Sequence, residues 1–368
     1  MSQKALAMVL TQFNAPLELQ EFPLSAPARD EILVRIDSAG ICGSDLHMWR
    51  GKDPRTPLPI ILGHEGVGTI ESIDHNRRDV LGRPLHAGDR IIWDRGVPCY
   101  ACYYCLVKKE PSLCLNRRVY GINLSSKEPP HLRGSYATHM YLFPETKLFK
   151  LDPSLPPEIF SASACSGATA AHAIELADIR PGDTVAVLGV GSLGLFALRM
   201  ALDKGAAWAV AFGTSRSPHK LQMARDFGAT HTLEVDKTTR TERKHFLKNL
   251  TNGRGVDVVI EASGAPSSVE DAVYYLARGG RVVLPGVATP VGTVSFPVYE
   301  QIVLKNAAVQ GVWVSDTSHL YQAVRHVENH VELYRKMVTA TFPLTQANAA
   351  FDELLKKKAV KLVLKPEK

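Results

Sequence analysis

Six cysteines constrain this chain more than any other feature: each stands where a metal ion could use it, and none is left over for a crosslink or for plain packing. Four crowd one loop as Cys99-x2-Cys102-x2-Cys105-x8-Cys114. The other two, Cys42 and Cys165, are far apart in sequence, and His64 lies between them. The pattern points to two metal sites with different tasks, one tying a loop and one carrying chemistry.

Thiolates separated by two-residue gaps can converge within a turn on a tetrahedral zinc, and a closed structural site takes four such ligands. The loop around Cys99–Cys114 has little apolar content, so a metal would supply the order that packing cannot. A disulfide pair, a redox CxxC and a nucleic-acid zinc ribbon compete with this account. The first sits poorly with a reducing compartment. The second lacks a thioredoxin-like βαβ setting. The third would show two separated CxxC knuckles.

At 368 residues the chain is long enough for two domains. Its net charge of +6 is modest and spread in small clusters such as Lys108-Lys109 and Lys356-Lys357-Lys358. That suits a solvated surface rather than a nucleic-acid patch. The opening MSQKALAMVLTQF does not read as a signal peptide, and no apolar run of ~18 residues or more suggests a membrane span. A cytoplasmic protein fits cysteines used as metal ligands.

The first 160 or so residues read as strands and loops. Glu31–Ile36, Val67–Ile73 and Arg90–Trp93 have strand patterning, interrupted by frequent Gly and Pro. From about Ala168, helix-length segments alternate with short apolar runs at Thr184–Leu188, Ala209–Phe212, Val256–Ile260 and Arg281–Leu284. Alternation of this kind predicts βαβ units and a parallel sheet. It ends near Leu304; a helix over Leu344–Lys357 and a short strand over Val360–Leu364 follow.

Gly189-Val190-Gly191-Ser192-Leu193-Gly194 is a GxGxxG turn between the TVAVL run and a helical stretch. Strand, glycine turn and helix together make a dinucleotide site, since the glycines let the backbone approach a pyrophosphate at the helix N-terminus. An NAD site usually carries an acid about twenty residues further on, at the ribose 2′-hydroxyl. Counting back from Gly228 puts Ser215 there, in the carboxylate-free segment AFGTSRSPHK. Arg216 and Lys220 stand beside it, and a guanidinium suits a 2′-phosphate. These residues predict NADP(H) in preference to NAD(H).

Three further segments, GICGSDLH at Gly40–His47, GHEGVG at Gly63–Gly68 and SACSGATAAHA at Ser163–Ala173, complete a set. Taken singly, each Cys is a small buried apolar residue and each His a satisfied polar one. Taken with the four-cysteine loop and the glycine turn, in this order, the chain resembles the zinc-dependent medium-chain alcohol dehydrogenases over nearly its full length. One departure is the eight-residue gap before Cys114, where the family usually has seven.

The resemblance implies an α/β plus β fold: a GroES-like catalytic domain split around a Rossmann cofactor domain, as 1–165, 166–304 and 305–368. It implies a catalytic zinc on Cys42, His64 and Cys165, a structural zinc on the four-cysteine loop, and Glu65 close to the catalytic metal. Glu158 falls out of register as a ligand. Asp45 would orient the ligand histidine. Ser44 and His47 would relay the proton as zinc lowers the pKa of an alcohol oxygen; otherwise they are a turn hydroxyl and a loop histidine. Thr169, Gly286 and Val287 would lie near the nicotinamide, and Lys361 near the pyrophosphate unless it is an exposed strand lysine.

Trp49, Trp93 and Arg95 are expected to line the substrate pocket. Arg95, where alcohol-oxidising relatives have an aromatic, with Arg50 and Lys52 nearby, suggests a substrate with an anionic group. The plainer account pairs Arg95 with Asp94 or Asp89. The expected activity is hydride transfer between NADP(H) and an alcohol, aldehyde or ketone by a homodimer or homotetramer. A zinc-free quinone or enoyl reductase and a non-catalytic cofactor sensor are the alternatives.

Overall fold

A computed structural model describes residues 4–73 and 77–367. The chain forms two compact units: Met1–Cys165 with Asp316–Lys368, and Ser166–Ser315. The second unit thus runs past residue 304, because a short strand at Ala308–Gly311 joins its sheet. That strand is AVQG and carries too little apolar signal to be seen in sequence.

In the first unit a sheet of largely antiparallel strands is centred on Ile32–Ile41. The alternation visible over Glu31–Ile36 understates this strand, which is buried along most of its length by pairing with Gly66–Ile73, His139–Leu142 and Lys361–Lys365. Register now does functional positioning. Ala39 lies opposite Gly66, and the Gly40 N–H donates to the Glu65 carbonyl at 2.9 Å. Cys42 therefore leaves its strand beside His64 and Glu65. On the other edge Leu362 pairs with Ile41, which puts Lys361 in the same place. The expected helix near Leu344 is a 3-10 turn, Leu344–Gln346, continued by an α-helix, Ala347–Leu355.

The second unit is a six-stranded parallel sheet. Its strands are β1 Thr184–Leu188, β2 Trp208–Gly213, β3 His231–Glu234, β4 Val256–Glu261, β5 Leu276–Leu284 and β6 Ala308–Gly311. Their spatial order is β3-β2-β1-β4-β5-β6, the doubly wound order of a dinucleotide fold with its switch point between β1 and β4. β1 is buried on both faces, as central strands of a parallel sheet are. Among the described residues no helix is long and apolar enough to cross a membrane.

Candidate active site

Cys42, His64, Glu65 and Cys165 present ligand atoms that all lie within 4.8 Å of one another. Cys42 caps the short helix Gly43–Trp49, and Cys165 ends a buried 3-10 segment, Pro157–Ala164, held to the central strand by a 2.9 Å contact between the hydroxyls of Ser38 and Ser161. The sulfurs of Cys42 and Cys165 are 3.9 Å apart. Two thiolates at ~2.3 Å on a tetrahedral zinc stand about 3.8 Å apart, so the spacing fits. Nε2 of His64 is buried with no hydrogen-bond partner, as is Oε1 of Glu65. Buried polar atoms are costly to leave unpaired, and a metal with its bound water would satisfy both.

Asp45 organises the ligands. Its Oδ2 accepts the Cys42 N–H at 2.7 Å and the Tyr136 hydroxyl at 2.9 Å. Its Oδ1 is 3.2 Å from Nδ1 of His64, near enough for electrostatic pairing though off the line of a hydrogen bond. Holding Nδ1 towards a carboxylate leaves Nε2 for a metal. The electrostatics agree. Its contact with Cys165 holds the Cys42 thiol well below its ordinary value, against burial. That same contact, reinforced by burial, drives Cys165 well above. Burial pushes His64 down, but Asp45 and then Cys42 carry it up to about 10.

Lys361 is neither an exposed strand lysine nor held out for a phosphate. It is 2% exposed and donates to Oε2 of Glu65 at 2.7 Å and to the Ile41 carbonyl at 3.2 Å. Its partner lies 296 positions away, beyond any local pattern. Ser44 lies close by, its Oγ 3.8 Å from the Cys42 sulfur. Nδ1 of His47, on the same short helix, is buried without a partner. Burial lowers the His47 pKa, countered by Cys42.

The expected pocket residues are held by contacts within the first unit. The Trp49 indole N–H donates to the Ala15 carbonyl at 2.6 Å and its ring meets Phe351 edge-on. Trp93 is 3% exposed and packs in the core. Arg95 is 5% exposed and donates to the Ala164 carbonyl at 2.8 Å, one residue before Cys165. Its anticipated partners are taken: Asp94 pairs with Arg117 at 3.4 Å and Asp89 with Lys150 at 2.7 Å. Glu158 binds Lys365 at 3.0 Å.

In the loop Cys99–Cys114, sulfur separations of 3.5 Å for Cys102–Cys105, 3.5 Å for Cys99–Cys114 and 4.0 Å for Cys102–Cys114 match four thiolates around one zinc. All six cysteines are free thiols, so the disulfide account is absent from this structure.

In the second unit, Gly189 takes φ +110° at the end of β1, where a Cβ would come within 2.9 Å of the Ser263 N atom. Gly191 caps the helix Ser192–Asp203, and nothing lies within 4 Å of where its Cβ would be. This open turn at a helix N-terminus, carrying Ser192, Leu193 and Gly194, fits a pyrophosphate. A Cβ on Gly286 would meet Oε2 of Glu261 at 2.6 Å; Gly286 and Val287 follow β5. Thr169 is buried on the helix Ser166–Ala177, and Lys220 is in the first turn of Pro218–Asp226.

The last residue of β2 is Gly213, not Ser215. A Cβ there would meet Leu221 at 2.7 Å and Val190 at 2.8 Å, which keeps the strand end free of an acid. Yet a carboxylate invisible to local reading is present: Asp236 accepts the Ser215 N–H at 2.7 Å and its hydroxyl at 2.8 Å.

A largely antiparallel sheet with two thiolate clusters, joined in sequence to a doubly wound unit with an open glycine turn, defines an oxidoreductase of the dehydrogenase class. The chain belongs to the zinc-type medium-chain alcohol dehydrogenase family. The alcohol dehydrogenase GroES-like domain matches residues 28–153 and the zinc-binding dehydrogenase domain residues 189–329. The fold superposes on an alcohol dehydrogenase from Thermotoga maritima with a TM-score of 0.96 and 44% identity, over 99% of this chain and 100% of that one. A 5-exo-hydroxycamphor dehydrogenase from Pseudomonas putida is 31% identical over 95% of both chains. An NAD-dependent alcohol dehydrogenase from Sulfurisphaera tokodaii is 30% identical, covering 96% of this chain and 97% of its own.

Proposed function

We propose that this chain is a zinc-dependent dehydrogenase that moves a hydride between NADP(H) and an alcohol or the matching aldehyde or ketone. The observation that carries this is the convergence of Cys42, His64 and Cys165 at zinc-compatible spacing, with Nε2 of His64 buried and unpartnered. The same convergence favours a zinc enzyme over a zinc-free reductase. Cys99, Cys102, Cys105 and Cys114 would hold a second, structural ion. When bound, the catalytic zinc supplies Lewis-acid polarisation of an alcohol or carbonyl oxygen. The nicotinamide cofactor supplies or accepts the hydride.

The chain's own residues do the rest. Asp45 fixes the His64 ring. Ser44 takes the substrate proton and passes it towards His47, whose Nδ1 is buried with no other hydrogen-bond partner. Glu65 and Lys361 hold a neutral pair beside the ligands. Ser215 and Arg216, with no acid at Gly213, support NADP(H). A substrate with an anionic group is supported by Arg95, a buried guanidinium held on the Ala164 carbonyl, one residue before the ligand Cys165. Comparing Arg95→Met for charged and neutral alcohols tests it; equal losses would remove the idea.

A homodimer or homotetramer is supported by β6, the last strand of its sheet among the described residues, where Val309 is exposed. A cytoplasmic setting is supported by the thiols available as metal ligands. The deciding experiment combines zinc quantitation with an alcohol, aldehyde and ketone screen using both cofactors. Two zinc ions per chain and turnover favouring NADPH are expected. Zinc-replete protein inert with both nicotinamides would overturn the proposal and favour a cofactor-sensing role.

A further inference from the structure

We propose that Asp236 is a specificity-determining residue of the cofactor site, opposing the 2′-phosphate that Arg216 attracts, so that the preference for NADP(H) over NAD(H) is held narrow. This rests on the reading of Ser166–Ser315 as a nicotinamide-cofactor unit.

The placement follows from strand register. β2 and β3 are parallel neighbours, and Gly213 lies opposite Glu234. Two residues beyond each strand end, Ser215 and Asp236 come level. Val235 extends the pairing by donating its N–H to the Gly213 carbonyl at 2.8 Å. Asp236 then closes on Ser215 with two bonds, 2.7 Å from the backbone N–H and 2.8 Å from the hydroxyl. Those two bonds, aided by the charge of Arg216, hold its carboxyl below the ordinary value, so it is ionised at neutral pH.

A ribose 2′-phosphate needs N–H and O–H donors with a guanidinium, and it is close to dianionic. At this strand end the donors are those of Ser215 and the cation is Arg216. Asp236 occupies both donors and adds a negative charge where the phosphate would arrive. NADP(H) must displace the carboxylate from Ser215 and tolerate its charge. NAD(H), with a neutral 2′-hydroxyl, meets no such penalty, and the carboxylate offers that hydroxyl an acceptor. The residue thus acts as the acid that Gly213 cannot be, delivered by the next strand.

Zinc-loaded full-length chain, titrated by the fluorescence of NADPH and of NADH without substrate, tests this directly. Asp236→Asn keeps the shape and removes the charge; Asp236→Ala also frees both Ser215 donors. Each variant should tighten NADPH binding by about tenfold, with NADH unchanged or weakened by up to about threefold, and Ala should exceed Asn. Raising ionic strength should shrink the gap for the Asn variant, since the residue is exposed. NADPH affinity unchanged in both variants, or NADH tightening as much as NADPH, would overturn the proposal. Unmodified chain that binds neither nucleotide would overturn the cofactor reading itself, a separate result.

Discussion

Glu65 and Lys361 face each other at 2.7 Å, with side-chain exposures of 0% and 2%. Removing one member of such a pair leaves an uncompensated buried charge, which costs about 3–5 kcal/mol. Lys361→Met should therefore lower the melting temperature sharply, and Lys361→Met with Glu65→Leu should recover most of the loss in calorimetry. Ser44 makes a different case, because its hydroxyl touches Cys42 without being needed for packing. Ser44→Ala should keep its full zinc content while kcat falls about 10²–10⁴-fold, read by steady-state turnover beside metal analysis. Neither pairing distance was visible in the sequence. Cys42, His64 and Cys165 were recognisable as a set, but the partner of Glu65 was not, and Arg95 was given partners that Arg117 and Lys150 in fact hold.

Elements place these residues by register and capping. The helix Thr317–Asn329 begins on Asp316, which accepts the Ser318 N–H at 2.9 Å. Burial pushes the Asp316 carboxyl up, but its bonds to His319 and Ser318 win and hold it far below 3.8. A depressed folded-state value means the stabilisation is present above pH ~4 and is lost as pH falls further. Asp316→Ala should cost about 1 kcal/mol at pH 7, and the difference from the unmodified chain should shrink in melts taken progressively below pH 4. The four-thiolate loop is the other extreme, an element with its ordering written into cysteine spacing. Cys102→Ser should lose about one zinc per chain and speed proteolytic cleavage between residues 99 and 114. Strand identity was legible where runs were apolar, as in β1 and β4. It was not legible for β3, short and partly exposed, or β6, short and exposed throughout, so periodicity has little to register.

At the scale of the whole molecule, the first unit is built from both ends of the chain, and its central strand Ile32–Ile41 is paired on one side by Lys361–Lys365. Truncation after residue 359 should strip that strand away and unfold the first unit in hydrogen exchange, while the parallel sheet of Ser166–Ser315, with its own core, keeps its protection. By itself the sequence determined what is encoded at short range: the thiolate cluster, the glycine turn after β1, the alternation of strand and helix, and the family to which they belong. Chemistry at those places depends on residue type and spacing, and both survive in one dimension. Tertiary structure alone decided the long-range pairings: Lys361 on Glu65, Arg117 rather than Arg95 on Asp94, and Asp236 on Ser215. Each depends on which strands lie side by side and in what register, and that is set by packing of the whole sheet rather than by any segment within it.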